Sequence, residues 1–241
     1  MVGKIFHRLI DFLFPASCPL CSAPVSIHGE LCGDCWGCFD WIDGPHCAVC
    51  GYPFPDGYEN MPGAMCPVCA SGLGELDVVR AACRYDDMSR SAMLPFKHGG
   101  VIKYATFMSR AMIWALRDVD ISPDIVMPVP LANRRLFHRG YNQATLLARP
   151  ISAVYNAHLD FDSVRRKYRE NMGHKTHKQR FENIRGVFNV IKPEKIRGKK
   201  ILLVDDVMTS GATFTELSRV LKRAGASAVY GVVFCRVVRA D

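Results

Sequence analysis

Eight of the eleven cysteines of this 241-residue chain form four Cys-x-x-Cys pairs between residues 18 and 69. Ten residues separate the first two pairs and fifteen separate the last two. A Cys-x-x-Cys turn directs two thiolates at one ion, so two pairs supply the four-thiolate set of a structural zinc site. Because two zinc ions would fold a segment with little core of its own, we expect a double zinc ribbon over residues 18–75. Its expected ligands are Cys18, Cys21, Cys32, Cys35, Cys47, Cys50, Cys66 and Cys69.

Two other uses of these cysteines compete with zinc. Disulfides would require a secreted chain, and the sequence shows no export signal. The run Cys32-x-x-Cys35-x-x-Cys38 begins like a bacterial ferredoxin motif, but Ile42 stands where the fourth cysteine would fall. Cys35 and Cys38 also form a Cys-x-x-Cys pair, so the register is ambiguous. We take Cys32 and Cys35 as ligands and Cys38 as a spare thiol.

The first residues predict a short amphipathic helix over positions 1–17. Its apolar stretch, Ile5 to Phe14, is interrupted by His7, Arg8 and Asp11, and it is shorter than the roughly 20 residues that cross a bilayer. With 49% hydrophobic and 22% charged residues, the composition is that of a globular protein. We therefore expect a cytoplasmic protein without stable membrane insertion.

Charge divides the chain where the cysteines do. Residues 1–75 hold two basic and eight acidic residues, a formal charge of −6, whereas residues 76–241 hold 29 basic and 15 acidic residues, or +14. Thirteen of the basic residues, with three acidic ones, lie between Arg165 and Lys200. We therefore expect a polyanion such as single-stranded nucleic acid to bind the C-terminal part and not the acidic ribbons. With eight thiolates available, His28 and His46 are expected to be surface histidines.

A second motif lies in that C-terminal part. The run ILLV at residues 201–204 predicts a buried parallel strand, and Phe214, Leu217 and Leu221 predict a helix that ends near Gly225, before a further strand from Val229. Between strand and helix, two carboxylates precede a small hydroxyl-rich loop. Backbone amides at a helix start bind phosphate, and two carboxylates can accept hydrogen bonds from two ribose hydroxyls. The motif therefore predicts a phosphoribosyl site made of Asp205, Asp206, Thr209, Ser210, Gly211, Ala212 and Thr213.

These residues, VDDVMTSGAT, resemble the PRPP-binding motif of type I phosphoribosyltransferases. The block from Asp124 through PVP and RGYNQ to Ala144, the run FKHGG at residues 96–100 and the four Cys-x-x-Cys pairs extend the likeness to essentially the whole chain. That combination resembles the ComF family, competence-associated proteins that join zinc ribbons to a phosphoribosyltransferase domain. The resemblance implies an α/β fold, a mostly parallel sheet flanked by helices over residues 76–241, after the small double zinc ribbon.

The resemblance also implies roles for particular residues. Asp205 and Asp206 would bind the ribose hydroxyls of PRPP, which would arrive with Mg²⁺, and residues 209–213 would bind its 5′-phosphate. A turn after an earlier strand would bind pyrophosphate through Val129, Pro130 and Leu131. This turn is followed by Arg134, Arg135 and Arg139, whose side chains are suited to bidentate contact with pyrophosphate oxygens. We expect Arg139, together with Asp205 and Asp206, to be catalytic. The basic segment 165–180 resembles the flexible lid of the class, with His174, Lys175 and Thr176 at its centre.

Two functions follow from these features. In the first, an acceptor displaces pyrophosphate from Mg-PRPP; Thr209, which stands where purine-type enzymes carry an aspartate, makes a purine acceptor the less favoured choice. In the second, the chain is a competence protein that binds single-stranded DNA and a helicase partner, and its PRPP pocket is non-catalytic or regulatory. A third interpretation makes the ribbons an interface for a homodimer or another partner, without catalysis.

Overall fold

The structure is a computed structural model. It describes residues 15–55, 63–71, 76–99, 102–131, 141–167 and 177–238. Most of the helix predicted over residues 1–17 lies outside these ranges. Within them, no helix has the length and apolar character needed to cross a bilayer.

A five-stranded parallel sheet is the centre of the larger domain, with strand order β1, β7, β6, β2, β3. Two further strands, β4 and β5, pair antiparallel beside it. The strands are β1 (Val78–Arg84), β2 (Ile125–Pro128), β3 (His158–Leu159), β4 (Val164–Arg166), β5 (Phe188–Val190), β6 (Lys200–Met208) and β7 (Ala228–Arg236).

Helices cover both faces of the sheet. Because side chains alternate along a strand, Leu202 and Val204 of β6 pack on one face with α3, α4 and α5, and Ile201 and Leu203 pack on the other face with α8. The helices are α1 (Gly33–Gly37), α2 (Pro67–Ala70), α3 (Asp87–Gly99), α4 (Ile102–Ala115), α5 (Gln143–Val154), α6 (His177–Ile184), α7 (Pro193–Ile196) and α8 (Ala212–Arg223). The predicted α/β fold is confirmed.

The strand that carries the two acids is longer than predicted. We expected the acids and the loop to follow the apolar run 201–204, but β6 continues through both acids to Met208. Val207 and Met208 pair with Cys235 and Arg236 of β7. Pairing with a long neighbouring strand therefore extends β6 beyond its apolar part.

The segment between the two groups of cysteines joins the core of the larger domain. Trp41 forms an isolated antiparallel bridge with Cys83 of β1, and the Ile42 N–H donates to the Ala82 carbonyl at 2.9 Å. Phe39 and Ile42 are buried, one in each of the two core clusters. The ribbon segment is thus packed against the sheet.

Each cysteine group also has its own contact with the larger domain. In the first, Glu30 binds Arg110 of α4 at 2.9 Å. In the second, Gly51 has a positive φ of 64°, and a Cβ there would lie 2.8 Å from the Val79 carbonyl oxygen. Glycine therefore allows this turn to approach β1 closely.

Candidate functional site

The eight paired cysteines form two clusters, in each of which the four Sγ atoms lie within 4.8 Å of one another. The structure brings Cys32 and Cys35 to the first cluster, whereas Cys38 is the exposed C-cap residue of α1. Backbone amides support the sulfur atoms: the Cys35 N–H donates to Cys32 Sγ at 3.5 Å, and the Cys66 N–H donates to Cys47 Sγ at 3.3 Å. The clusters are Cys18, Cys21, Cys32 and Cys35, and Cys47, Cys50, Cys66 and Cys69.

The donor sets fit zinc. In the second cluster, hydrogen bonds from Cys50 and Cys69 hold the pKa of Cys47 well below its usual value, while hydrogen bonds with Cys47 and Cys50 raise the pKa of Cys69. One thiolate is therefore stabilised at the expense of its neighbours, and only a cation lets all four bind as thiolates. A zinc ion bound by four cysteines stabilises local structure and has no open position for substrate.

The two histidines near the clusters differ. His28 is exposed, as expected. His46 is not simply a surface residue, because its Nε2 lies 3.1 Å from Asp118 Oδ2, after the end of α4, and its Nδ1 lies 2.8 Å from the Gly44 carbonyl. It thus connects the second ribbon to the larger domain.

Asp205 and Asp206 lie near the carboxyl end of β6, the middle strand of the sheet. Next to them the Val129 N–H donates to the Val204 carbonyl at 2.8 Å, which brings the turn after β2 beside the acids. The Asn142 side chain donates to the Val129 carbonyl at 3.1 Å and fixes the start of this turn. The acids and the turn at residues 129–131, predicted to act together, therefore share one edge of the sheet.

Lys97 of α3 also reaches the acids, a contact that sequence reasoning missed. Its Nζ lies 3.1 Å from Asp206 Oδ2. Two residues of the RGYNQ motif hold the helix end in place: the Tyr141 hydroxyl donates to the Phe96 carbonyl at 3.0 Å, and Gln143 Nε2 donates to the Lys97 carbonyl at 3.3 Å. The run FKHGG at residues 96–100 was the available signal, but it had no assigned role.

Burial and the adjacent negative charge of Asp206 raise the pKa of Asp205 to about 8, although the Asp206 N–H and the positive charges of Lys97 and Arg166 oppose the shift. Asp205 therefore keeps its proton to a higher pH than an ordinary aspartate. Its Oδ1 already accepts the Asp206 N–H at 2.9 Å. Lys97 already lies against Asp206 Oδ2, so the pair offers few free carboxylate oxygens to Mg²⁺, which binds proteins through one or two carboxylates together with waters and substrate phosphates. A Mg²⁺ ion that arrived with a pyrophosphate ligand would bind the oxygens of that ligand.

The loop after β6 has the features expected of a phosphate-binding loop, and residues 209–213 are called the phosphate cradle below. Gly211, the N-cap of α8, has a φ of 76°. As a glycine it provides no side-chain hydrogen bond to the first N–H groups of the helix. The Ala212 N–H lies 3.4 Å from Ser210 Oγ, while Thr209 is exposed and Thr213 is half-buried. An anion at this helix start would meet backbone N–H groups, the positive end of the helix dipole and nearby hydroxyls.

A cavity of about 660 Å³ opens between the turn after β2, the start of α5 and the β4 strand. Its lining includes Pro130, Leu131, Arg149, Arg165 and Arg166. The positive charge of Arg166 also favours the ionised form of Asp205 and so opposes the rise in its pKa. Positive side chains therefore line the space beside the predicted pyrophosphate turn.

Six residues of the predicted site lie outside the described residues. They are Arg134, Arg135, Arg139, His174, Lys175 and Thr176. The strands β4 and β5, which flank the predicted lid segment, are described and pair antiparallel.

Fold and site together define a phosphoribosyltransferase-type domain that carries two four-cysteine ribbons. Residues 108–239 match the phosphoribosyl transferase domain family, and residues 9–70 match the double zinc ribbon domain family. The chain belongs to the phosphoribosyl transferase domain family and, because it combines both parts, to the ComF family.

Relatives with similar sequences cover both parts of the chain. DNA utilization protein YhgH of Escherichia coli K12 is 27% identical over 231 residues, 93% of this chain and 98% of the relative. Competence protein F of Haemophilus influenzae is 26% identical over 83% of this chain and 89% of the relative, and competence protein ComFC of Bacillus subtilis is 27% identical over 83% and 80%. Among solved structures, purine phosphoribosyltransferase from Pyrococcus horikoshii aligns with a TM-score of 0.31 and 15% identity, over 54% of this chain and 80% of that one.

Proposed function

We propose that this chain binds PRPP at the carboxyl end of β6 and transfers its phosphoribosyl group to an acceptor, with release of pyrophosphate. The observation that carries this proposal is the order of groups along one strand, loop and helix. Two acids are followed by a helix start with available amides, and the turn at Val129 lies alongside. This order matches a molecule with a phosphate at one end, a ribose in the middle and pyrophosphate at the other end.

Each group has a chemical task in this proposal. The amides at the start of α8 bind the 5′-phosphate, and Asp205 and Asp206 bind the ribose hydroxyls. With both ends fixed, the acceptor attacks C1′, the bond from C1′ to the pyrophosphate oxygen breaks, and its electrons leave with pyrophosphate. Arg165 and Arg166, which line the adjacent cavity, would stabilise the growing negative charge. Mg²⁺ on the pyrophosphate would add positive charge to the leaving group.

Thr209 is the one residue of the predicted site that bears on the chemical class of the acceptor. Purine-type relatives of the fold use an aspartate at this position, so we propose an acceptor other than a purine. Arg139, with Arg134 and Arg135, remains the predicted source of further positive charge near the pyrophosphate. His174, Lys175 and Thr176 remain the predicted centre of a lid.

The experiment is calorimetric titration of the zinc-loaded protein with PRPP and Mg²⁺, together with a pyrophosphate-release assay over orotate-like, purine and amine acceptors. Wild type should bind PRPP and release pyrophosphate with one class of acceptor. The double variant Asp205→Asn with Asp206→Asn should lose binding, while Asp120→Asn, at an exposed acid before β2, should behave as wild type. Binding without release would reject transfer and retain a PRPP-binding protein; unchanged affinity in the double variant would reject the ribose assignment.

We propose single-stranded DNA binding as a second function, supported by the basic segment and by the names of the relatives. The segment from Arg165 to Lys200 has a formal charge of +10 (13 basic and three acidic residues). In its described part, Arg165, Lys167 and Lys195 are exposed. The relatives named above are a DNA utilization protein and two competence proteins. A helicase partner remains a prediction.

Fluorescence anisotropy of a labelled oligothymidylate over a salt series tests this second function. Lys167→Gln with Lys195→Gln should weaken binding and lower the salt slope by about 0.7 per lost phosphate contact. The matched control is Arg90→Gln with Lys103→Gln, which removes two exposed charges from α3 and α4. Equal weakening by both pairs would reject a specific track along the basic segment.

A further inference from the structure

Lys97 faces the acid pair from a helix that lies outside the strand, loop and helix of the phosphate cradle. Its side chain is 23% exposed, that of Asp206 is 13% exposed, and their charged atoms lie 3.1 Å apart. An ion pair this far removed from water is stronger than one on the surface. Lys97 is therefore a fixed part of the acid site.

The surroundings of Lys97 hold it there. The backbone carbonyls of Phe96 and Lys97 accept hydrogen bonds from Tyr141 and Gln143, respectively. Phe96 is fully buried and Gln143 is 3% exposed. The helix end that carries the ammonium is thus tied to the segment that follows the turn at residues 129–131. This arrangement joins three parts of the predicted ligand site.

We propose that Lys97 is the resident counter-cation of the Asp205 and Asp206 pair, and that the ribose 5-phosphate part of the ligand binds there without a divalent ion. The inference rests on the phosphoribosyl site proposed above and deepens it. It assigns a positioning role to Lys97, which orients Asp206 toward the ribose hydroxyls. Any need for Mg²⁺ then resides in the pyrophosphate part of PRPP alone.

The chemistry of the two cations supports this assignment. Two adjacent acids oppose each other's ionisation, so the pair favours a single negative charge, and the ammonium of Lys97 matches that charge in number and sign. The ammonium of Lys97 lies against Oδ2, one of the two oxygens through which Asp206 could bind a divalent ion. An ammonium has three N–H donors, so Lys97 can bind Asp206 and a ligand oxygen together. Lys97 therefore supplies positive charge to the acid pair as a Mg²⁺ ion would, but without the need for octahedral coordination.

Ribose 5-phosphate is the probe, because it lacks the pyrophosphate that chelates Mg²⁺. Its affinity is measured by calorimetry in excess EDTA and in millimolar Mg²⁺. For wild type we expect the two values to agree within about twofold. Lys97→Met should weaken binding in EDTA by about tenfold, the loss of one charge-assisted contact, and Mg²⁺ should recover part of it. Lys97→Arg should retain binding in EDTA, since it keeps the charge.

Lys199→Met is the matched control, because it removes a lysine at the opposite end of β6, where Lys199 pairs with Asp124. Two results would overturn the role of Lys97 and leave the phosphoribosyl site standing. Wild type would bind ribose 5-phosphate only with Mg²⁺, or Lys97→Met would bind it in EDTA with unchanged affinity. Mg-PRPP binding without any ribose 5-phosphate binding would also overturn the role of Lys97. Absence of binding by either ligand would reject the proposed function itself. If Lys97→Met fails to fold, wild type and Lys97→Arg still decide the question.

Discussion

Arg236, in the last strand of the sheet, donates a hydrogen bond from Nη1 to the backbone carbonyl of Cys50 at 2.5 Å. The guanidinium also lies over the ring of Tyr52, 4.9 Å from its centroid. On the other side, Arg236 pairs with Met208, the last residue of β6 before the phosphate cradle. Arg236 thus connects the second cysteine cluster, through its buried side chain, to the strand that carries the acids, through backbone pairing.

Replacing Arg236 with alanine should loosen the second zinc site. The change leaves the Cys50 carbonyl without this donor, at an expected loss of about 1–3 kcal/mol in the free energy of unfolding. It also removes a positive charge that favours the Cys50 thiolate, whose pKa the hydrogen bond with Cys47 raises to about 11. Zinc release to a chromophoric chelator should therefore be faster. Arg223→Ala, at an exposed position of α8, is the control, and equal release rates in the two variants would contradict the link.

Zinc removal should first unfold the ribbons, since bound metal supplies much of their folding free energy. Tryptophan fluorescence can follow this step, because all three tryptophans meet at the contact between the first ribbon and α4. Trp36 stacks on Trp41 with centroids 4.2 Å apart, and each lies 6.2 Å from Trp114. We expect the emission to change in step with release of the first zinc, before the sheet loses its circular dichroism.

Zinc content well below two per chain would contradict the assignment of both clusters. Trp36→Phe is the matched variant for the optical signal, since Trp36 lies in α1 directly after Cys35, the last ligand of the first cluster. It should lose part of the change in emission while it releases the same amount of zinc.

The local parts of this molecule could be predicted from sequence, and the distant contacts could not. The cysteine spacing indicated both clusters, and the register with Cys32 and Cys35 is the one observed. The apolar run before Asp205 and the helix after Gly211 indicated the cradle, because strand, loop and helix are contiguous. Each of these features depends on neighbours within a few residues, which is what a sequence pattern records.

The contact between Lys97 and Asp206 depends on packing of α3 against the carboxyl end of the sheet, and the run FKHGG at residues 96–100 does not indicate which residue Lys97 meets. The burial of Phe39 and Ile42 was missed for a related reason, because their segment was assigned wholly to the ribbons. Its apolar character between two groups of cysteines was a usable signal. The length of β6 was set by β7, a neighbour that the run at residues 201–204 does not contain.

Asp205 predicts how stability depends on pH. Burial and the charge of Asp206 raise its pKa to about 8 in the folded protein, whereas an unfolded aspartate titrates at about 3.9. Between these values the folded state binds more protons, so the free energy of unfolding should fall as the pH rises through this window. Asp205→Asn should remove this decrease in the free energy of unfolding. Above about pH 8 the variant should unfold at a higher temperature than wild type, and at acidic pH the two unfolding temperatures should differ less. Asp120→Asn is the exposed control, and parallel pH profiles for wild type and Asp205→Asn would contradict the assignment.

Gly231 sets how closely the cradle helix approaches the sheet. A Cβ at Gly231 would lie 2.6 Å from the ring of Phe214 and 2.9 Å from the Val79 side chain. Phe214 is only 1% exposed and lies in the first turn of α8, so its ring has little room to move. Gly231→Ala should therefore cost about 1–3 kcal/mol in overpacking and push the start of α8 away from the strand.

The displacement should also weaken phosphate binding, because the amides after Gly211 would leave their position beside the acids. Thermal unfolding and calorimetric titration with PRPP measure the two effects on the same protein. Gly44→Ala is the matched control, since no atom beyond its chain neighbours lies within 4 Å of the added Cβ. Loss of stability without loss of affinity would mean that α8 keeps its place and that the strain is relieved elsewhere in the sheet.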